Sequence, residues 1–458
     1  MRRQKRCLKV GKLEGDKVEE RSFAPIENIG TQDDKNAKGP NMGKLDVQRV
    51  REQFPALKQT VNGQPAAFLD GPAGTQVPRQ VIAAMTEYLE TSNANTCGAF
   101  ATSRRSDAML AEAHRAMADF AGCDADEIHF GPNMTTLTFA LARAIGRELQ
   151  PGDEIVVTTL EHDANVAPWR ALEERGVVVR QADIRVEDCT LDLDDLRAKI
   201  NARTRVVAVS YASNAVGTIN PVAEIVRLAH AAGALAFIDA VHYAPHGAID
   251  VRALDCDFLA CSPYKFFGPH TGAMYGKREH LLKLRAYKVR PAPDKLPDKW
   301  EVGTLAHESL AGVLATVEYL AELGRQCEPG PATAGRREAL LAAYRAIGEY
   351  ERGLAAQMLE GFAKIRGLKV YGITDPARIA ERVPTFGVRL AGKSPLECAE
   401  FLSARGIFTW DGNYFALNVT ERLGVEASGG LLRIGAVHYN TSAEIERMLA
   451  ALGELAGR

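Results

Sequence analysis

Two segments of this 458-residue chain, FIDAVHYAPH (237–246) and CSPYKFFGPHTGAMYG (261–276), decide its fold. Apolar runs lead into both segments, and such runs predict strands that are buried on both faces of a parallel sheet. The first run ends at Asp239, and the second ends at Ser262, just before Lys265. Because ligands of open α/β sheets bind outside the carboxyl ends of the strands, we expect these side chains to lie at one edge of the sheet.

Outward from these segments, strand and helix patterns alternate from about residue 150. Two of the helical stretches end at glycine, Gly176 and Gly233, as helices commonly do. This alternation predicts an α/β fold with a mostly parallel sheet covered by helices. The predicted strands are EIVVTT (154–159), VVVRQA (177–182) and TRVVAVSYAS (204–213), and the predicted helices are VAPWRALEERG (166–176), LDLDDLRAKI (191–200) and PVAEIVRLAHAAG (221–233).

The chain divides into three parts by composition. Residues 1–42 are basic at the start and then polar and rich in helix breakers, which predicts a disordered leader. Residues 43–330 form the predicted large domain, whose N-terminal segment is expected to contribute to the small domain. Residues 331–458 form the predicted small α+β domain, with strands at TFGVRLAG (385–392) and LLRIGAVHYN (431–440) between helical stretches.

Charge and cysteine usage exclude several classes of protein. Lysine and arginine number 56 and aspartate and glutamate 58, so there is no strong field to attract nucleic acid. The eight cysteines form no CxxC pair, which predicts neither a metal site nor a disulfide framework and suits a reducing compartment. No apolar run approaches the roughly 20 residues that span a bilayer. We therefore expect a cytoplasmic protein that binds neither nucleic acid nor membrane.

Two further side chains follow predicted strands. His162 follows EIVVTTL (154–160) and Glu161, and Asn214 follows VVAVSYAS (206–213). A lysine and an aspartate at the same edge are the minimum needed to hold pyridoxal phosphate, because the lysine bonds covalently to its aldehyde and the aspartate keeps its pyridine nitrogen protonated. We therefore expect Lys265 and Asp239 to bind this cofactor.

A phosphate site is predicted at the start of a helix. Met134 and Thr135 lie between a strand that ends at Phe130 and the helical stretch TLTFALARAIGREL (136–149). The free N–H groups at a helix N-terminus favour a dianionic phosphate. Thr135 also has an ordinary interpretation, as a residue that starts the helix.

These segments resemble the cofactor core of class V pyridoxal-phosphate-dependent aminotransferases, especially the cysteine desulfurase (SufS-like) branch. The resemblance covers roughly residues 45–456, with the matching segments in the order of that family. It implies the pyridoxal-phosphate transferase fold type I, with a mostly parallel seven-stranded sheet in the large domain. The other matching segments are FLDGPAGTQVP (68–78), LEHDANVAPW (160–169), SNAVGTINPV (213–222), WEVGT (300–304) and LLRIGAVHYNT (431–441).

The resemblance also implies roles for individual residues. The implied catalytic residues are Lys265, which carries the cofactor and moves the proton at the substrate Cα, Asp239, which faces the pyridine nitrogen, and His162, which stacks on the ring. Arg433 is implied to grip the substrate carboxylate, with Asn214 near the substrate and the ring oxygen. The residues implied to bind the cofactor are Met134, Thr135, His162, Asn214, Asp239, His242, Ser262, Tyr264, Lys265 and Thr304.

The sequence departs from the family pattern near the site. His242 stands where desulfurases usually carry glutamine, and Tyr264 replaces the histidine beside the lysine. In the loop TWDGNYFA (409–416), Phe415 occupies the position of the sulfur-accepting cysteine and Trp410 that of an arginine. A phenylalanine cannot be a sulfur nucleophile, so the persulfide route of the family is not expected.

Two other cysteines lie in segments that bear on this question. Cys97 belongs to SNANTCGAFATSRRSD (92–107), which borders the active site in relatives, and we expect it to be a small buried or half-buried thiol. Cys398 is the nearest cysteine in sequence to the loop, and it is expected to lie within a helix.

The sequence therefore predicts a pyridoxal-phosphate-dependent enzyme that acts on a small L-amino acid or a derivative. C–S or β-elimination and aminotransfer are the expected reactions. Epimerisation or racemisation, as in isopenicillin-N-epimerase-like proteins, and a non-catalytic cofactor-binding platform stay open as alternatives. Trp410, Tyr414 and Phe415 favour a substrate larger or less polar than cysteine. By resemblance we expect a homodimer in which Thr304 reaches the phosphate across the interface.

Overall fold

The fold is built around a seven-stranded sheet. The computed structural model describes residues 45–328 and 335–457. The strands lie in the order β1-β7-β6-β5-β4-β2-β3, and of these seven only β7 runs antiparallel to its neighbours. The predicted α/β class with a mostly parallel seven-stranded sheet is therefore confirmed. In chain order the strands are Ile128–Gly131 (β1), Glu154–Thr158 (β2), Val178–Ala182 (β3), Thr204–Ser210 (β4), Leu235–Asp239 (β5), Phe258–Cys261 (β6) and Gly272–Gly276 (β7).

The strands of this sheet are apolar throughout because the sheet lies between two hydrophobic cores. Along β2, Val156 packs into one core, and its neighbours Ile155 and Val157 pack into the other. The side chains of β4 alternate between the same two cores. This alternation follows from the two-residue repeat of a strand. Burial on both faces is what the apolar runs predicted.

The predicted helices of the large domain form, with one change. In the stretch VAPWRALEERG only Ala167–Arg170 is α-helical, and a 3₁₀ turn over Ala171–Arg175 continues to Gly176, whose φ of 82° ends it. None of the helices in the described part of the chain is long and apolar enough to cross a membrane. The α-helices of the described residues are Val47–Glu52 (α1), Arg79–Thr91 (α2), Ala101–Ala121 (α3), Met134–Ile145 (α4), Ala167–Arg170 (α5), Leu193–Lys199 (α6), Val222–Ala231 (α7), Val251–Leu254 (α8), Arg278–Lys283 (α9), His307–Cys327 (α10), Arg336–Ala363 (α11), Pro395–Ser403 (α12), Leu417–Arg422 (α13) and Ser442–Ala456 (α14).

A second, four-stranded antiparallel sheet follows in the C-terminal part. Its strands are Leu368–Tyr371 (β8), Thr385–Leu390 (β9), Trp410–Gly412 (β10) and Leu431–Gly435 (β11), in the order β8-β9-β11-β10. Apolar side chains of α11, α12 and α14 pack against this sheet in a third core. The N-terminal strand Ala67–Phe68 pairs with Ile407–Phe408 beside it. The domain boundary at residue 330 stays a prediction, and the predicted leader 1–42 lies outside the described residues.

The two sheets are joined where the loop after β4 runs against the start of β9. The Val383 N–H donates to the Gly217 carbonyl at 2.9 Å. The buried Arg382 guanidinium donates to the carbonyls of Val216 at 3.2 Å and Thr385 at 2.5 Å. Burial lowers the pKa of Arg382 to about 9, so it stays charged at neutral pH. These bonds fix the position of the Asn214 loop relative to the small sheet.

The close approach of this loop can be tested at Gly217. A Cβ there would lie 2.3 Å from the Thr385 carbonyl oxygen and 2.9 Å from that of Val383, at a φ of 80°. We expect Gly217→Ala to lower the free energy of unfolding by about 3 kcal/mol or more, because overpacking adds to the roughly 1–2 kcal/mol of the left-handed conformation. Urea unfolding measures this loss.

Gly152→Ala is the matched control. Gly152 has a φ of 88°, and nothing lies within 4 Å of the Cβ position. Only the left-handed conformation is therefore disfavoured, at about 1–2 kcal/mol. Equal losses of stability in the two variants would contradict the role of the close contact at Gly217.

Candidate active site

The carboxyl ends of β5 and β6 meet at one edge of the large sheet. These strands are parallel and pair Asp239 with Ala260, so Asp239 lies close to the segment that begins at Ser262. The Asp239 carboxylate is buried and accepts a hydrogen bond from the Val241 N–H at 2.9 Å. Burial raises the pKa of Asp239 to about 6, and this hydrogen bond and the charge of Lys265 partly offset the effect.

Lys265 ends a 3₁₀ turn that follows β6. Its Nζ donates to the Pro72 carbonyl oxygen at 2.5 Å. Burial lowers the pKa of Lys265 to about 7, the charge of Arg433 lowers it further, and Asp239 and Asp70 act in the opposite direction. The amine is therefore poised to gain or lose a proton near neutral pH.

His162 and Asn214 lie in the loops that follow β2 and β4. The Ala164 N–H donates to His162 Nδ1 at 3.0 Å, so the proton of the neutral ring is on Nε2. Burial, with the charges of Lys265 and Arg433, lowers the pKa of His162 to about 4 and keeps the ring neutral. The Asn214 side-chain N–H donates to the carbonyl of Tyr414 at 3.0 Å. Its Oδ1 is buried and has no hydrogen-bond partner among the described residues.

Arg433 lies in β11 of the small sheet and reaches the same region. Its Nη1 donates to the Asn214 carbonyl at 3.0 Å, and its Cζ lies 4.1 Å from the centre of the Tyr414 ring. Its Nε is buried without a partner in the described part of the chain. Burial lowers the pKa of Arg433 to about 10, which leaves the guanidinium charged at neutral pH. The unpartnered Nε gives it a donor for an anion.

Asp70 is a member of this cluster that strand-end reasoning missed. Burial raises its pKa to about 6, against the effects of Arg433 and Lys265. Its Oδ1 is buried and has no hydrogen-bond partner within the described residues. Asp70 belongs to FLDGPAGTQVP (68–78), one of the segments that resemble the family, and this resemblance is the sequence feature that could have identified it.

The predicted phosphate site lies between β1 and α4. Met134 is the first residue of α4, and Thr135 is exposed in its first turn. The Asn133 side chain accepts only the Thr136 N–H, at 2.8 Å, and the first N–H groups of a helix have no partner within it. A Cβ at Gly272 of β7 would lie 2.8 Å from the Met134 nitrogen, so only glycine leaves room for this turn. The arrangement suits a phosphate.

Of the other predicted site residues, Ser262, Tyr264 and His242 are buried or half-buried, and Thr304 is exposed. Ser262 is buried at the end of β6, and the Tyr264 ring stacks on His270 and lies 4.9 Å from Lys265 Nζ. His242 is buried, with its Nε2 3.0 Å from the hydroxyl of a threonine in β9. Thr304 is different. It is exposed, and its side chain has no hydrogen-bond partner among the described residues of the chain.

Hydrogen bonds hold the loop 409–416 in place beside the site. Tyr414 and Phe415 both adopt the left-handed conformation, with φ of 56° and 58°. The Tyr414 hydroxyl donates to the Leu431 carbonyl, and the Asp163 N–H donates to the Phe415 carbonyl at 2.7 Å. The Phe415 side chain is 71% exposed, and its ring lies 5.5 Å from that of His162.

The seven cysteines of the described residues all lie outside the loop 409–416. Cys97 is exposed, which corrects the expectation of a buried or half-buried thiol. It adopts a φ of 62° between α2 and α3, in a turn outside the hydrophobic cores. Cys261 lies near Asp239, but burial raises the pKa of its thiol far above the usual range. Cys398 is buried within α12, as predicted.

The chain matches a known protein family over most of its length. The model of the family described as Aminotransferase class-V matches residues 67–328 and 338–448. The chain belongs to the class V aminotransferase family. The aminotransferase-like protein FGM3 of Gibberella zeae is 31% identical over 419 residues, which are 89% of this chain and 98% of that protein. The cysteine desulfurase of Dickeya dadantii is 32% identical over 423 residues, 89% of this chain and 96% of that one.

Solved structures agree with this assignment. The apo cysteine desulfurase from Thermococcus onnurineus NA1 superposes with a TM-score of 0.80 at 26% identity, over 90% of this chain and 98% of that one. This class V family member is thus a pyridoxal-phosphate-dependent enzyme of fold type I, similar to cysteine desulfurases. The predicted resemblance, fold type and cofactor are confirmed.

The described residues fit pyridoxal phosphate. Lys265 offers a buried amine with a lowered pKa for its aldehyde, and Asp239 offers a buried carboxyl at the same edge. The start of α4 offers N–H groups for its phosphate, in a turn whose space a Cβ at Gly272 would fill.

The lowered pKa of Lys265 predicts how cofactor attachment depends on pH. Only the unprotonated amine attacks an aldehyde. The rate at which pyridoxal phosphate attaches to the cofactor-free protein should therefore rise through a pH of about 7, and not through the ordinary lysine value of 10.5. Growth of the visible absorption band after rapid mixing measures this rate, with a free primary amine as the reference for the cofactor's own titration.

Two variants test the cause of this shift in opposite directions. Arg433→Gln removes a repelling charge and should raise the pH midpoint, whereas Asp70→Asn removes an attracting charge and should lower it. Midpoints that stay at the wild-type value in both variants would show that these charges do not set the pKa of Lys265.

Proposed function

We propose that this chain acts on a small L-amino acid or a derivative by C–S or β-elimination or by aminotransfer, without a persulfide-forming cysteine. The observation that carries this proposal is the loop 409–416. The resemblance puts Phe415 at the position of the family's cysteine, and hydrogen bonds hold its backbone in place. A phenyl side chain has no lone pair with which to take sulfur from a substrate.

We infer the following roles for the residues around the substrate. When bound, pyridoxal phosphate supplies an electron sink for negative charge at the substrate Cα. Arg433 holds the substrate carboxylate, because its Nε has no partner within the described residues and its charge persists at neutral pH. Lys265 Nζ removes and returns the proton at Cα, for which a pKa of about 7 is well matched. Asp239 and His162 orient the cofactor ring.

The mouth of the site supports a substrate less polar than cysteine. Trp410 is half exposed and Phe415 is largely exposed, and both belong to the loop beside Arg433. An apolar substituent on the substrate would cover these rings and gain about 25 cal/mol for each Å² of apolar surface removed from water.

Thiol blocking tests the absence of a persulfide step. We expect treatment of the holoenzyme with iodoacetamide to leave turnover of its amino-acid substrate within about twofold of the untreated rate, because no thiol takes part. Turnover is followed over a panel of S-substituted and apolar L-amino acids by mass spectrometry. Release of a keto acid with a thiol indicates elimination, and transfer of nitrogen to a keto-acid acceptor indicates aminotransfer.

Cys97→Ser is the matched control, because Cys97 is the exposed cysteine among the described residues. This variant should match the wild type before and after treatment. Loss of wild-type activity on alkylation, together with loss of activity in untreated Cys97→Ser, would assign the sulfur chemistry to Cys97 and overturn the proposal. Solvent deuterium entering Cα with loss of chirality, and no net consumption of substrate, would instead favour the epimerase.

We also propose that the chain is a homodimer in which Thr304 binds the cofactor phosphate of the partner's site. Its exposure and the lack of a partner for its hydroxyl within the described chain support this role. Mixing Lys265→Ala protomers with Thr304→Val protomers tests it. A hydroxyl that acts across the interface leaves one intact site in each mixed dimer.

We expect the mixture to recover about a quarter of the wild-type activity at limiting cofactor, because half of the dimers are mixed and each has one intact site of two. Each variant alone should be weaker than the mixture. No recovery on mixing, with mixed dimers verified by mass, would show that Thr304 acts within its own chain or not at all.

A further inference from the structure

The buried ring of His242 makes one hydrogen bond, to a residue far away in sequence. Its Nε2 lies 3.0 Å from the hydroxyl oxygen of Thr385, the first residue of β9. Thr385 is 0% exposed, so its hydroxyl has no access to water. The direction of this single hydrogen bond decides which nitrogen of the imidazole carries the proton.

The hydroxyl of Thr385 has one hydrogen to donate and one possible acceptor. Among the described residues, His242 Nε2 is the only hydrogen-bond partner of this hydroxyl. If Nε2 carried the proton, the buried O–H would be left without an acceptor, which disfavours that arrangement by about 1–3 kcal/mol. The hydroxyl therefore donates, and Nε2 accepts.

The proton of the neutral ring is then on Nδ1. Burial lowers the pKa of His242 well below its usual value, and His246, Arg433 and Lys265 lower it further, so the ring is neutral. Within the described part of the chain no group bonds to Nδ1. The ring therefore has a free N–H donor beside the cluster of Lys265 and Arg433.

The position of the Thr385 hydroxyl is fixed by its surroundings. The Thr385 carbonyl accepts from Arg382 Nη2 at 2.5 Å, and the residue pairs with Gly435 of β11. A Cβ at Gly435 would lie 3.2 Å from the Thr385 hydroxyl oxygen, so the neighbouring strand packs closely against it. The hydroxyl thus stays in reach of Nε2.

We propose that Thr385 is a positioning residue that holds His242 in the Nδ1–H tautomer, so that its N–H donates to the oxygen on the cofactor ring. The two residues together then supply a donor at the position where the resemblance implies a glutamine. The opposite tautomer would turn a lone pair toward an electron-rich oxygen and repel it. The second half of this inference rests on the proposed position of the cofactor, whereas the tautomer itself does not.

The tautomer is tested on the cofactor-free protein. The protein is labelled with ¹⁵N-histidine, the His242 signals are assigned by their loss in His242→Gln, and long-range ¹H–¹⁵N spectra identify the protonated nitrogen. We expect Nδ1 to carry the proton in the wild type and in Thr385→Ser, which keeps the hydroxyl. Thr385→Val should lose this preference. A wild-type ring protonated on Nε2, or an unchanged ring in folded Thr385→Val, would overturn the inference.

Cofactor affinity tests the link to the ring oxygen. Titration of the apoprotein with pyridoxal phosphate, followed by the visible absorption band, should show about five- to tenfold weaker binding in Thr385→Val and no change in Thr385→Ser. In the His242→Gln background Thr385→Val should not weaken cofactor binding further. The side-chain amide of glutamine always has N–H donors, so its ability to donate does not depend on Thr385. Equal weakening in both backgrounds would mean a merely structural role and would overturn the inference.

The two proposals fail in different ways. A wild-type protein that binds no pyridoxal phosphate would remove the proposed function, while the nitrogen spectra would still decide the tautomer. A wild-type protein that binds the cofactor, with Nδ1 protonated and with no affinity change in Thr385→Val, would keep the proposed function and overturn the hydrogen bond to the ring.

Discussion

The Lys265 amine is buried within reach of the positive charge of Arg433, and the chemistry of the site depends on this burial and on the repulsion that Arg433 adds. Burial and the repulsion together lower the pKa of Lys265 to about 7, whereas that of Arg433 falls only to about 10. Near neutral pH the lysine can therefore lose its proton, whereas the arginine keeps its charge for an anion. Asp239 and Asp70 limit the effect without abolishing it. A carboxylate paired closely with Arg433 would remove part of the repulsion and keep the lysine protonated near neutral pH.

This arrangement requires the two sheets to keep a fixed relative position. Lys265 follows a strand of the large sheet, and Arg433 belongs to the small one. The contact between them runs through Gly217, which allows two backbones to meet, and through Arg382, whose guanidinium is bonded to carbonyls on both sides. The Arg382 guanidinium also lies 3.7 Å from the centre of the Phe386 ring, and these contacts offset part of the free-energy cost of burying its charge.

Local patterns in the sequence were sufficient for most of the fold. The apolar runs predict β2, β4, β5 and β6, and the rule for strand ends locates Asp239 and Lys265 correctly. β7 is not predicted because GAMYG contains two glycines, which are uncommon in strands. The helices α2, α3 and α10 are likewise absent from the prediction. The contact of Thr385 with His242 joins residues 143 positions apart, and no periodicity in a single sequence relates such a pair.

The hydrogen bonds of the loop 409–416 also limit how this chain could acquire a sulfur-accepting thiol in evolution. Tyr414 and Phe415 are held in left-handed conformations, and bonds from Asp163 and Asn214 capture their carbonyls. A cysteine introduced at position 415 would lie on a backbone whose position is fixed by these hydrogen bonds. A thiol that accepts sulfur and passes it on, however, has to move between two positions. A descendant of this chain would therefore have to release the loop before a new thiol there could be selected.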